Sequence, residues 1–84
     1  MVRVISIDPG RSKCGLILAE IIQKKVYEAV ILKSEFLEDY IRNLNEVENI
    51  SKIIIGNGTT SMNIIKKLHF FKKKIITFEE KNTT

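Results

Sequence analysis

Three features of the chain point to an α/β fold built on a mixed five-stranded sheet. A β-branched run at residues 2–7 ends on Asp8-Pro9-Gly10, the spacing of apolar residues turns helical after Ser34, and a continuous Ile53-Ile54-Ile55 run follows. Together they give the element order β-β-β-α-β-α-β.

Val2 to Ile7 is rich in β-branched residues, which fit a pleated surface. Asp8-Pro9-Gly10 ends it with turn chemistry, because proline fixes one dihedral and glycine admits unusual ones. Cys14 to Ile22 and Val26 to Lys33 are two further apolar stretches separated by the polar Gln23-Lys24-Lys25. The first three strands therefore read as an antiparallel meander. From Ser34, apolar residues fall at Phe36, Leu37, Tyr40, Ile41, Leu44 and Val47, one helical stripe. Ser34 is placed to cap that helix, and Glu35, Glu38 and Asp39 suit the positive end of its dipole. Lys52 to Gly56 reads as a parallel strand buried on both faces. Thr60 to Phe71 reads as a second helix with Ile64, Ile65, Leu68 and Phe71 inward, and Ile75 to Phe78 supplies a fifth strand leading into Glu79-Glu80.

Composition narrows the class. The 84 residues, 44% hydrophobic and 29% charged, are those of a single small globular domain over residues 1–84. No apolar run approaches the roughly 20 residues that cross a bilayer, and the amino terminus lacks the shape of a secretion signal. A cytoplasmic location with no membrane partner is the expectation. The net charge of +4 gathers at Arg11 to Lys13, Lys24-Lys25, Lys66-Lys67 and Lys72 to Lys74, which is compatible with a polyanionic partner. The single cysteine, Cys14, has no partner for a disulfide or a zinc site and reads as a small buried strand residue. His69 reads as a surface or half-buried helix residue, and Tyr27 and Tyr40 as core or boundary packing. Phe70-Phe71 reads as helix packing in preference to a base-stacking platform.

The crossovers between the first, fourth and fifth strands keep those strands parallel, so their carboxyl ends share one sheet edge. That edge is where open α/β sheets place ligands, and it carries Asp8, then Gly56-Asn57-Gly58, then Glu79-Glu80. Carboxylates gathered in this way repel unless a cation intervenes. Hard oxygen ligands suit Mg²⁺ or Mn²⁺, ions that activate water and stabilise the leaving oxygen in phosphodiester hydrolysis. Asp8 stands out because it lies directly against apolar strand residues, where an unpaired charge is costly. The alternative at each of these positions is a solvated turn residue. The loop at Asn57, Gly58 and Thr59 leads into a helix start and offers backbone N–H groups to a phosphate, or is simply a tight turn with a Thr cap. It lacks the lysine and spacing of a Walker motif.

Ile5-Ser6-Ile7-Asp8-Pro9-Gly10-Arg11-Ser12-Lys13-Cys14-Gly15 resembles the first-strand motif of the YqgF-like (RuvX-type) proteins, and its Ile-Asp-Pro-Gly portion is similar to RuvC resolvases. Gly56-Asn57-Gly58-Thr59 resembles the glycine loop after the fourth strand in one branch of that family. Glu79-Glu80-Lys81-Asn82-Thr83-Thr84 resembles its Asp-Glu-Lys/Arg-x-Thr/Ser-Thr segment. The resemblance implies a ribonuclease-H-like fold, whose members are described as Holliday junction resolvases or as nucleases maturing the 16S ribosomal RNA precursor. It implies Mg²⁺ or Mn²⁺ as cofactor, Asp8 and Glu80 as catalytic, metal-binding carboxylates, and Glu79 beside them in place of the usual aspartate. Lys81 would meet a phosphate, and Arg11 and Lys13 could make similar backbone contacts, which position a strand without reading its sequence.

Family members continue past the Thr-Thr segment into helices, one of which carries a third catalytic aspartate. The expectation is a domain lacking those C-terminal helices, with one sheet face poorly covered and a homodimer as one way to cover it. Two functions follow. One is a metal-dependent endonuclease on DNA junctions or structured RNA. The other is a non-catalytic module of the same fold that binds nucleic acid or itself. A third reading, half of an actin-like or sugar-kinase-like ATPase, is disfavoured by the single small domain.

Overall fold

A computed structural model of the chain describes residues 2–57, 61–68, 71 and 74–78. Strands β1 (Arg3–Asp8), β2 (Lys13–Glu20) and β3 (Lys25–Lys33) precede helix α1 (Leu37–Val47). Strand β4 (Ile50–Gly56), helix α2 (Ser61–Lys67) and strand β5 (Lys74–Phe78) follow, in the expected order. The sheet runs β3-β2-β1-β4-β5, with β1 antiparallel to β2, β2 antiparallel to β3, and β1, β4 and β5 parallel. No helix among the described residues is long and apolar enough to cross a membrane.

Alternation along the strands divides the sheet into two unlike faces. Ile5 and Ile7 of β1, Leu16 and Leu18 of β2, and Ile53 and Ile55 of β4 are buried and pack with Leu37, Ile41, Ile64, Leu68 and Phe71. Both helices therefore lie on one face, and that face holds the core. Tyr40, Leu44, Ile65 and Ile75 add to its margin.

Several boundaries depart from the sequence reading. The β4 strand begins at Ile50, because a shift of register between Arg3 and Val4 brings Ile50 opposite Arg3 and buries it fully. Ser34 does not cap a helix. Residues Ser34–Phe36 form a 3₁₀ turn without a side-chain cap, and the Ser34 hydroxyl instead donates to the Gly10 carbonyl at 2.9 Å. That turn rotates Phe36 off the helical stripe, so Phe36 is exposed, as is Val47 in the last helical position. The second helix ends at Lys67, four residues early. There the Leu68 N–H is shared between the carbonyls of Ile64 and Ile65, a common way for a helix to tighten at its end, and the Phe71 N–H bonds back to Leu68. Phe71 is buried all the same, whereas His69 and Phe70 lie outside the described residues.

Tyr27 is not core. A bulge between Leu18 and Ala19 leaves Tyr27 without a cross-strand partner. Its ring, partly exposed, lies 4.7 Å from the Arg3 guanidinium, which also pairs with Glu48. Glu20 is the one charged residue buried among those described. Its carboxylate accepts the Val2 N–H at 2.9 Å and the Gln23 N–H at 2.5 Å, tying the amino terminus to the β2–β3 turn. The Gln23 bond, opposed by burial and helped by the Val2 bond, holds its carboxyl below the usual glutamate range.

Candidate functional site

The strand directions gather four strand ends at one edge. Since β2 runs against both its neighbours, β3 points the same way as β1, and the carboxyl ends of β1, β3, β4 and β5 lie together with the start of β2. Asp8 ends β1 near the centre of that edge. It stands opposite Gly15, and a Cβ built on Gly15 would lie 3.7 Å from the Asp8 Cβ. Alanine would fit there, but a longer side chain would reach over the carboxylate.

Asp8 is exposed, which corrects the expectation drawn from burial. Strand pairing explains it. Ser6 and Asp8 share the face away from the helices, so the apolar residues flanking Asp8 in sequence, above all Ile7, project to the other side. On the open face Ser6, Asp8, Gly15, Ile17, Ala29 and Ile31 line a groove of about 600 Å³. Ile17 is 42% and Ile31 77% exposed, so the poorly covered face expected from sequence is present. Val4 is the exception on this side of β1, being buried.

The turn after Asp8 is firmly built. A Cβ on Gly10 would collide with the Lys13 carbonyl oxygen, so this position requires glycine for close approach. The Ser34 hydroxyl bonds the Gly10 carbonyl, and the Ser34 N–H donates to the Ser12 carbonyl at 2.8 Å. The end of β3 thereby clamps the loop that carries Arg11 and Lys13, both exposed. Below it Cys14 is buried as expected. Burial pushes its thiol up and the nearby Asp8 charge adds to this, while the Ser34 hydroxyl and Lys67 pull the other way. A thiol raised in this way is a packing residue.

Asn57 lies exposed just beyond β4 at the same edge, while Gly58 and Thr59 fall outside the described residues. The described part of β5 ends at that edge too, opposite Gly56. Glu79, Glu80 and Lys81 also lie outside the described residues. No group of three or more His, Cys, Asp or Glu side chains that could hold a metal occurs among the described residues. What the groove does offer, among the described residues, is one exposed, hard-oxygen carboxylate, Asp8. Mg²⁺ commonly takes one or two carboxylates and fills its remaining positions with water and substrate phosphate, so Asp8 fits as one ligand of such an ion.

Two residues at this edge escaped the sequence reading. Ser6 lines the groove beside Asp8, and period-two alternation back from Asp8 would have found it. Lys33 sits opposite Lys13 at the end of β3, and only the strand register reveals that.

No protein-family model and no curated protein matches the chain. Solved structures do. RuvC of T. thermophilus in complex with a Holliday junction substrate superposes with a TM-score of 0.77 at 8% identity, covering 95% of this chain and 66% of that one. A protein from Pseudomonas aeruginosa described as similar to the peptidase YEAZ superposes at 0.61 with 14% identity, covering 94% of this chain and 44% of that one. The chain thus spans just under two thirds and under half of those chains. At such identities the shared property is the fold, and the fold is ribonuclease-H-like.

Proposed function

We propose that the chain is the core of a metal-dependent nuclease that hydrolyses phosphodiesters in structured nucleic acid, of the Holliday-junction-resolvase-like or pre-16S-ribosomal-RNA-processing kind suggested by its YqgF-like motifs. The observation that carries this reading is the position of Asp8. It is an exposed carboxylate at the carboxyl end of the central strand, at the mouth of a groove, beside a clamped basic loop. The ribonuclease-H-like fold shared with RuvC supports it.

Asp8 and Glu80, with Glu79 beside it, would hold Mg²⁺ or Mn²⁺. Bound there, such an ion supplies an activated water and neutralises charge developing on the phosphoryl oxygens. Asp8 anchors the reacting phosphate's position at the sheet edge, and its exposure leaves the groove side open to a strand. Arg11 and Lys13 hold neighbouring phosphates, which fixes the strand's path without selecting its sequence.

The test is incubation of the protein with four-way DNA junctions and with precursor ribosomal RNA, with and without Mg²⁺. Metal-dependent products that Asp8→Asn reduces by roughly a hundredfold or more, the scale of losing an electrostatic contact to the transition state, support the proposal. Retarded substrate without metal-dependent products would overturn it. That result would favour a second reading, a non-catalytic module that binds nucleic acid or a second copy of itself. The exposed apolar residues Ile17 and Ile31 on the open face are what recommend it.

A further inference from the structure

The register of β2 and β3 sets Lys13 directly opposite Lys33. The Ser34 N–H donates to the Ser12 carbonyl, which makes Ser12 and Ser34 a hydrogen-bonded pair. Pairs alternate along an antiparallel ladder, so Lys13 and Lys33 form a non-hydrogen-bonded pair, the kind that brings side chains closest. Like charges so placed repel. Both lysines are exposed, and Arg11 joins them around a hollow of about 310 Å³. Neither lysine, nor Arg11, makes a salt bridge to a described residue. Among the described residues Glu35 is the only acid lining that hollow, and it too is exposed.

A repelling pair held in register, next to a turn tied down by two hydrogen bonds from Ser34, is stabilised when an anion lies between its members. We infer that Lys13 and Lys33, with Arg11, form a phosphodiester-binding clamp for one strand of a nucleic acid. This rests on the nuclease reading for its partner and extends it by adding Lys33. The clamp is on the same face as Asp8, because Asp8, Gly15 and Ile31 form one cross-strand row and Lys13 and Lys33 the row two residues beyond it. Two residues along a strand amount to about 7 Å, so a strand whose scissile phosphate sits at Asp8 brings a neighbouring phosphate to the lysines.

Fluorescence anisotropy with a labelled oligothymidylate, in chelator and across a salt series, reads the clamp without cleavage. Lys33→Gln is expected to weaken binding and to lower the slope of log affinity against log salt by about 0.7, the value for one single-strand phosphate contact. Lys25→Gln, the same charge change at the far end of β3, should leave binding and slope at their starting values. In protein alone at low salt, Lys33→Gln should melt higher than the parent, since it relieves the repulsion. Equal effects of Lys33→Gln and Lys25→Gln on binding would overturn the clamp, and so would a lowered melting temperature for Lys33→Gln. The two readings fail separately. Clamp-dependent binding without any metal-dependent cleavage sinks the nuclease and leaves the clamp, whereas cleavage indifferent to Lys33→Gln sinks the clamp and leaves the nuclease.

Discussion

The two faces of the sheet are made from the same strands, yet they do opposite work. Under the helices, Ile5, Ile53 and Ile55 have no exposed surface and Leu16 has 1%. On the other side Ser6, Asp8 and Ile17 are open to solvent, each one residue along the chain from a buried position, Ile5, Ile7 or Leu16. Stability resides on one face and chemistry on the other. One face is close-packed, and every methylene on it counts. The other is free to hold a carboxylate, cations and a groove, because almost nothing there is needed to keep the fold.

The largest effect should come from the packed face. Ile5→Ala removes buried methyl and methylene groups with α1 and α2 pressed against them, and should cost about 2–5 kcal/mol. Urea unfolding measures it, and in a domain this small that is a large share of the total. An intermediate effect belongs to Glu20, the polar exception on the buried side. Because its folded pKa is depressed, its contribution is fully present above the pKa of an unfolded glutamate and is lost as pH falls through the folded value. Glu20→Gln should therefore melt lower at neutral pH, where one of two backbone N–H groups loses its acceptor. Its melting temperature should also fall less steeply than the parent's on acidification, which thermal melts across that range will read. The smallest effect should come from the open face. Ile31→Thr keeps a β-branched residue on β3 and should change stability by no more than about 0.5 kcal/mol. A loss there comparable to Ile5→Ala would mean that the open face is covered after all, and the contrast between faces would fail.

Much of this was legible before any coordinates. Asp8-Pro9-Gly10 marked both the end of β1 and the candidate carboxylate, since turn chemistry is local and the strand before it is continuous in sequence. The elements of the meander and the crossovers were legible for the same reason. Lys33 was not, because its partnership with Lys13 exists only through the register of two strands and depends on a bulge at Leu18 and Ala19. The role of Ser34 was misread for a related reason. A serine before a helical stripe has the local signature of a cap, but here a carbonyl from the first turn of the chain offered its hydroxyl a better partner.

The order of elements, the inward stripe of α1 at Leu37 and Ile41, and the polar turn that holds Asp8 all follow from period and turn chemistry acting over a few residues. The exposure of Asp8, the meeting of Lys13 with Lys33 and the enclosure of Glu20 by the backbone of Val2 and Gln23 came from the packed fold. Those outcomes turn on which face of a pleated strand is covered and which residues pairing brings together, and distances across a sheet are not written in distances along a chain.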